Sequence, residues 1–177
     1  SAHAVGMVAV TSPAKAVELL QHMRDRMGER FSAFELMSHA IVALTRTHFP
    51  ALPQPFAQPH DWYVLMEWSS TRPRRDGANA AGLREKMEGY LGEAMEKGLV
   101  LDAVVAQTEA QSKALWALRE NHTEASKKEG PSIKFDISVA VSKIPRFMTE
   151  GLAAMKQALP ECRPLPFGHV GDGNLHF

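Results

Sequence analysis

Apolar and polar positions along this chain switch between the period of a strand and that of a helix. The opening run AVGMVAV, residues 4–10, is apolar throughout and reads as a buried strand. Thr11, Ser12 and Pro13 then offer an N-cap and a first-turn proline, while Val17, Leu20, Met23 and Met27 recur at three- and four-residue spacings, which predicts a helix over Ala14 to Met27. A second helical pattern covers Phe34 to His48, and the proline-rich PALPQPFAQPH, 50–60, suits neither regular structure. WYVLMEW, 62–68, has the aromatic and β-branched content of a strand; RPRRDGANA after it reads as a polar, turn-rich excursion. Helical spacing returns over Gly82 to Lys97, a strand is predicted over Val100 to Ala106, and one long helix over Glu109 to Lys127 stops before Gly130 and Pro131. IKFDISVAV, from Ile133, alternates as a half-buried strand does, and Pro145 opens a last helix. Helices set between separate strands predict an α+β fold: one domain, with a largely antiparallel sheet, helices packed on one face and ferredoxin-like elements.

Composition narrows the function classes. With 177 residues, 45% hydrophobic and 23% charged, the chain is long enough for one well-buried core. Its 20 basic and 20 acidic residues cancel, so no net field draws it to nucleic acid or an anionic membrane. An RNA-binding sheet would carry exposed aromatics in a basic setting, which WYVLMEW lacks. The single cysteine, Cys162, makes no internal disulfide and fits a reducing compartment, with the cytoplasm as the expected location. No apolar run approaches the ~18 residues of a membrane span, and the N-terminus shows no secretion signal.

The chemistry concentrates at the end, in GHVGDGNLHF, 168–177. Asp172-Gly173 is a favoured two-residue hairpin turn. Counting outward from it pairs Gly171 with Asn174, Val170 with Leu175 and His169 with His176, which sets two imidazoles on one face, roughly 5 Å apart at Cβ. Such a pair suits one divalent metal, although a catalytic zinc usually takes three protein ligands and keeps a position open. Glu109, Glu124 and Asp136 are possible third ligands within the chain, with nothing in the pattern to choose among them.

Together with FELMSHA from Phe34, WYVLMEW, LWALREN from Leu115 and KFDISVAV from Lys134, in that order, this string resembles the C-terminal (cap) domain of the FAD-linked oxidases, a family that includes glycolate oxidase flavoprotein subunits, D-lactate dehydrogenases and D-2-hydroxyglutarate dehydrogenases. The resemblance covers nearly the whole chain. It implies that His169 and His176 are two ligands of a divalent metal, zinc being the expected ion, near an FAD. It places the third ligand, a glutamate, and the catalytic base, a histidine, in a later Glu-His-Gly motif beyond Phe177. It also implies an FAD-binding domain earlier in the same chain, so residues 1–177 are expected to be a truncated substrate-binding cap, colourless and inactive alone.

The same resemblance assigns Arg119, Thr123 and Lys134 to the carboxylate of a small 2-hydroxy acid. The residue types suit this role, since a guanidinium offers two parallel hydrogen bonds, a hydroxyl a third, and an ammonium a point charge. The implied activity is oxidation of a D-2-hydroxy acid to a 2-oxo acid by hydride transfer to FAD, with the electron acceptor unspecified. The alternative is a non-catalytic α+β module that binds a metal or small ligand and regulates a partner.

Overall fold

The computed structural model describes residues 2–28, 31–70 and 79–177. The first strand, β1 (Ala2–Val10), pairs antiparallel along its whole length with β3 (Trp62–Ser70), from Ala2 opposite Ser70 to Val10 opposite Trp62. On the far side of β1 lies β4 (Asp102–Val105), and on the far side of β3 lies β2 (Phe31–Ser38). The sheet then extends through β6 (Phe167–His169) and β7 (Asn174–His176) to β5 (Asp136–Ser138) at the edge, giving seven antiparallel strands in the order β4-β1-β3-β2-β6-β7-β5.

Alternation along β1 sends Ala4, Val8 and Val10 into one apolar layer and Val5, Met7 and Ala9 into another. The first layer is closed by α1 (Pro13–Met27), α3 (Ala80–Glu96) and α6 (Ile144–Ala158), through Leu19, Met23, Met87 and Ile144. The second is closed by α2 (His39–His48), α4 (Glu109–Glu120) and α5 (His122–Lys128), through Ile41, Leu44, Leu115 and Leu118. Each fully buried Leu, Ile or Met side chain in these layers contributes about 1.5–3 kcal/mol relative to exposure.

The antiparallel α+β fold is therefore as expected, but its helices cover both faces of the sheet and not one. The physical reason stands in β1 and β3 themselves: AVGMVAV and YVLM have no polar positions to turn toward water, the pattern of a strand buried on both sides. Two further elements differ from the sequence reading. Phe34 to His48 is not one helix, because Ser38 ends β2 and its hydroxyl caps α2 by accepting from the Ile41 N–H. The long helix from Glu109 is interrupted at Asn121, whose side chain donates back to the Ala117 carbonyl at 2.7 Å, so Arg119 ends one helix and Thr123 belongs to the next. The polar excursion predicted after β3 falls mostly on residues 71–78, outside the described residues. Among the described residues no helix is long and apolar enough to cross a membrane.

Candidate functional site

Two rows of side chains cross the sheet on the face covered by α2, α4 and α5. One runs Met7, Leu65, Glu35, His169, Asn174, Ser138; its neighbour runs Ala9, Tyr63, Met37, Phe167, His176, Asp136. Both are largely apolar where the helices pack on β1 and β3, and both become polar toward β6, β7 and β5. Arg119, in the last turn of α4, and His122, at the start of α5, reach this polar part from above: the Arg119 guanidinium lies 4.6 Å from the Phe167 ring centroid, and the His122 ring meets the same phenyl edge-on at 5.2 Å.

The terminal hairpin brings both histidines to one face, as expected, but in a different register. His169 opposes Asn174 and His176 opposes Phe167, so the imidazoles are diagonal neighbours instead of direct partners. The cause is the turn. A two-residue Asp-Gly turn needs positive φ at both positions, yet among the described residues no residue other than glycine has positive φ. The strands are joined instead by four residues, Val170 to Gly173: the Gly173 N–H donates to the Val170 carbonyl, Gly173 has φ 79°, and Asp172 Oδ1 accepts from the Asn174 N–H at 3.1 Å.

Each histidine has a carboxylate at Nδ1. His176 Nδ1 lies 2.5 Å from Asp136 Oδ1, directly opposite it across β5 and β7, and His169 Nδ1 makes an ion-pair contact with Glu35 Oε1 across β2 and β6. The second contact has ion-pair separation without the alignment of a good hydrogen bond. In both rings Nε2 is left without a hydrogen-bond partner among the described residues. A carboxylate behind one ring nitrogen with the other left free is the usual arrangement of a metal-binding histidine. The two rings offer two nitrogen donors of the kind a divalent ion takes, and no group of three potential ligands occurs among the described residues. Of the possible third ligands, Glu109 pairs with His3 and Lys113, Glu124 pairs with Lys127, and Asp136 supports His176.

Glu35 escaped the sequence reading. It is 1% exposed, and while Oε1 faces His169, Oε2 accepts from Arg119 Nε at 2.7 Å. The available signal was a carboxylate at the same strand parity as Ala33 and Met37; reading Phe34 onward as helix concealed it. Asn174 was missed too: its Oδ1 is buried, on the residue opposite His169, with no hydrogen-bond partner among the described residues.

Arg119 is largely buried, with Nε bound to Glu35 and no hydrogen bond from either Nη among the described residues. Thr123 and Lys134 are exposed, and no hydrogen bond joins either to Arg119 among the described residues. Lys134 does lie near α5, since its charge adds to the Lys127 hydrogen bond and charge that lower the Glu124 carboxyl pKa. His122 is wholly buried. Thr45 Oγ1 donates its one proton to the Ile41 carbonyl, so it accepts from His122 Nδ1 at 2.8 Å, and the buried Nε2 lone pair has no partner among the described residues. Burial, and secondarily the Arg119 charge, push the His122 pKa down to about 3.

A family model described as "FAD linked oxidases, C-terminal domain" matches residues 1–177. The chain belongs to this family. Membership implies FAD as the cofactor and a domain of an oxidoreductase. Curated relatives include the mitochondrial D-2-hydroxyglutarate dehydrogenase of Arabidopsis thaliana, 32% identical over 159 residues, 90% of this chain and 27% of the relative. That of Danio rerio is 35% identical over 175 residues, 97% of this chain and 30% of the relative. The D-2-hydroxyglutarate dehydrogenase of Stutzerimonas stutzeri is 37% identical over 160 residues, 89% and 32% respectively. This FAD-linked oxidase domain thus spans less than a third of the curated relatives it matches.

Proposed function

We propose that residues 1–177 are the substrate-side part of an FAD-dependent dehydrogenase that oxidises a D-2-hydroxy acid, with D-2-hydroxyglutarate the first candidate, to the 2-oxo acid. The observation that carries this reading is Arg119 joined through Glu35 to His169, on the same sheet face as His176, with both Nε2 atoms free of hydrogen bonds among the described residues. An FAD-binding domain, the third metal ligand and the base belong to other parts of the whole protein.

When bound, a divalent cation held by His169 and His176 supplies Lewis acidity at the 2-hydroxyl, and the flavin supplies a hydride acceptor. The remaining work is positional. With Nε engaged by Glu35, Arg119 offers its two Nη groups as a fork for the substrate carboxylate, and the Phe167 ring holds the guanidinium plane from one side. Thr123 and Lys134 add a hydroxyl and a positive charge from the α5 side. Fixing the carboxylate together with the 2-hydroxyl decides whether the single hydrogen on the 2-carbon faces the flavin, and so selects one enantiomer.

Metal analysis and 2-hydroxy-acid turnover of the whole protein test the reading. His169→Ala and His176→Ala should each abolish bound divalent metal and activity together. Full metal content and turnover in both variants would remove the histidines from the site.

A further inference from the structure

We infer that Glu35 is a positioning residue that joins the two halves of this site, orienting the His169 imidazole and the Arg119 guanidinium from one buried carboxylate. The inference rests on the proposed reading and deepens it.

Strand register makes one half of the link. Glu35 and His169 are direct partners across β2 and β6, so their side chains meet wherever these strands pair. Tertiary packing makes the other half, since Arg119 comes from α4, 84 positions away, and its Nε reaches Oε2 at 2.7 Å. At 1% exposure the carboxylate has little water to share, and each oxygen faces a different partner, Oε1 the His169 imidazole and Oε2 the Arg119 guanidinium. Stability does not explain the group. Replacing both members of a buried ion pair by apolar residues of similar volume is often neutral or stabilising, and Ala33 and Met37 show that this side of β2 takes such residues. Glu35 instead fixes directions: held at Nδ1, His169 leaves Nε2 for a metal, and held at Nε, Arg119 turns its two Nη groups outward. A 2-hydroxy acid presents a hydroxyl and a carboxylate on adjacent carbons, so the spacing between the two binding groups is what a shared anchor would set. Asp136 supports His176 in the same way but is 77% exposed, where water competes for its oxygens.

The test uses the whole protein, stripped of metal and titrated with zinc, alongside KM and kcat for D-2-hydroxyglutarate. Glu35→Gln keeps the shape but has one acceptor oxygen and no charge, so it cannot serve both partners. Zinc affinity should fall about 10–100-fold and KM should rise about tenfold or more. If Glu35→Gln fails to fold, Glu35→Gln/Arg119→Gln removes both charges and leaves no unpaired buried ion; its zinc affinity should fall by the same factor. Unchanged zinc affinity in either folded variant overturns the inference, as does an unchanged KM in Glu35→Gln. His169→Ala separates the two claims. Should it lose zinc while Glu35→Gln keeps zinc affinity and KM, only the anchor fails; should it keep zinc, the metal reading fails as well.

Discussion

At the scale of single residues, the site depends on which nitrogen of each imidazole and guanidinium is already engaged. Arg119 has Nε on Glu35 and two Nη groups available, an arrangement that lysine cannot copy. Arg119→Lys in the whole protein should therefore lose about 1.5–3 kcal/mol of transition-state binding for 2-hydroxy acids, read as kcat/KM; an unaltered kcat/KM would remove Arg119 from the clamp. His122 gives a second residue-scale expectation, for stability. Its folded-state pKa is lowered from 6.5 to about 3, so between these values the unfolded chain binds a proton that the folded chain refuses. The contribution is constant above pH 6.5 and destabilising as pH falls below it, by roughly 1.4 kcal/mol per pH unit. His122→Gln should remove that part of the acid sensitivity, seen as a smaller drop in urea midpoint between about pH 6 and about pH 4. Equal drops in both proteins would mean that this imidazole takes up its proton in the folded state. The histidines stood out in the sequence by their places on either side of the Asp172-Gly173 turn, and Arg119 only through the family resemblance, since alone it reads as a solvated surface charge. Glu35 was not, since its meaning depends on pairing with β6, at the other end of the chain.

Among the elements, the hairpin at 167–176 does the most to place chemistry, and one glycine sets its shape. Gly173 has φ 79°, and a Cβ there would collide with the Val139 carbonyl oxygen, a backbone atom that no side-chain rotation can move aside. Gly173→Ala should destabilise the fold by about 2–4 kcal/mol and displace β5 from β7, lowering the thermal midpoint and the metal affinity together; a midpoint within error of wild type would show that the turn adapts. The sequence disclosed a hairpin here, with both histidines on one face, because strand parity survives a register change of two residues. It did not disclose the register. Asp-Gly favours a two-residue turn locally, whereas the Gly173 carbonyl bonded to the Val139 N–H and Arg24 donating to the Gly171 carbonyl stabilise a longer loop through partners distant in sequence. Helix boundaries failed for a similar reason: the Ser38 cap was readable, but the apolar run before it suits a helix and a two-face-buried strand alike.

At the scale of the whole molecule, the sheet is a divided platform. Its β1–β3 half is sealed by helices on both faces, while the β2–β6–β7–β5 half carries Glu35, His169, Phe167, His176 and Asp136 beneath the end of α4. The antiparallel α+β plan was legible from the order of elements; the second helical layer was implied by unbroken apolar strands but overlooked beside the single-layer pattern. If this platform presents a D-2-hydroxy acid to a flavin, anaerobic reduction of the flavin in the whole protein measures that directly. D-2-hydroxyglutarate, added without an electron acceptor, should bleach the yellow oxidised flavin in a single turnover, the L enantiomer should not, and Arg119→Lys should slow the bleaching. A flavin that stays oxidised with D-2-hydroxyglutarate and with every other D-2-hydroxy acid tried, in protein loaded with metal, would contradict this function.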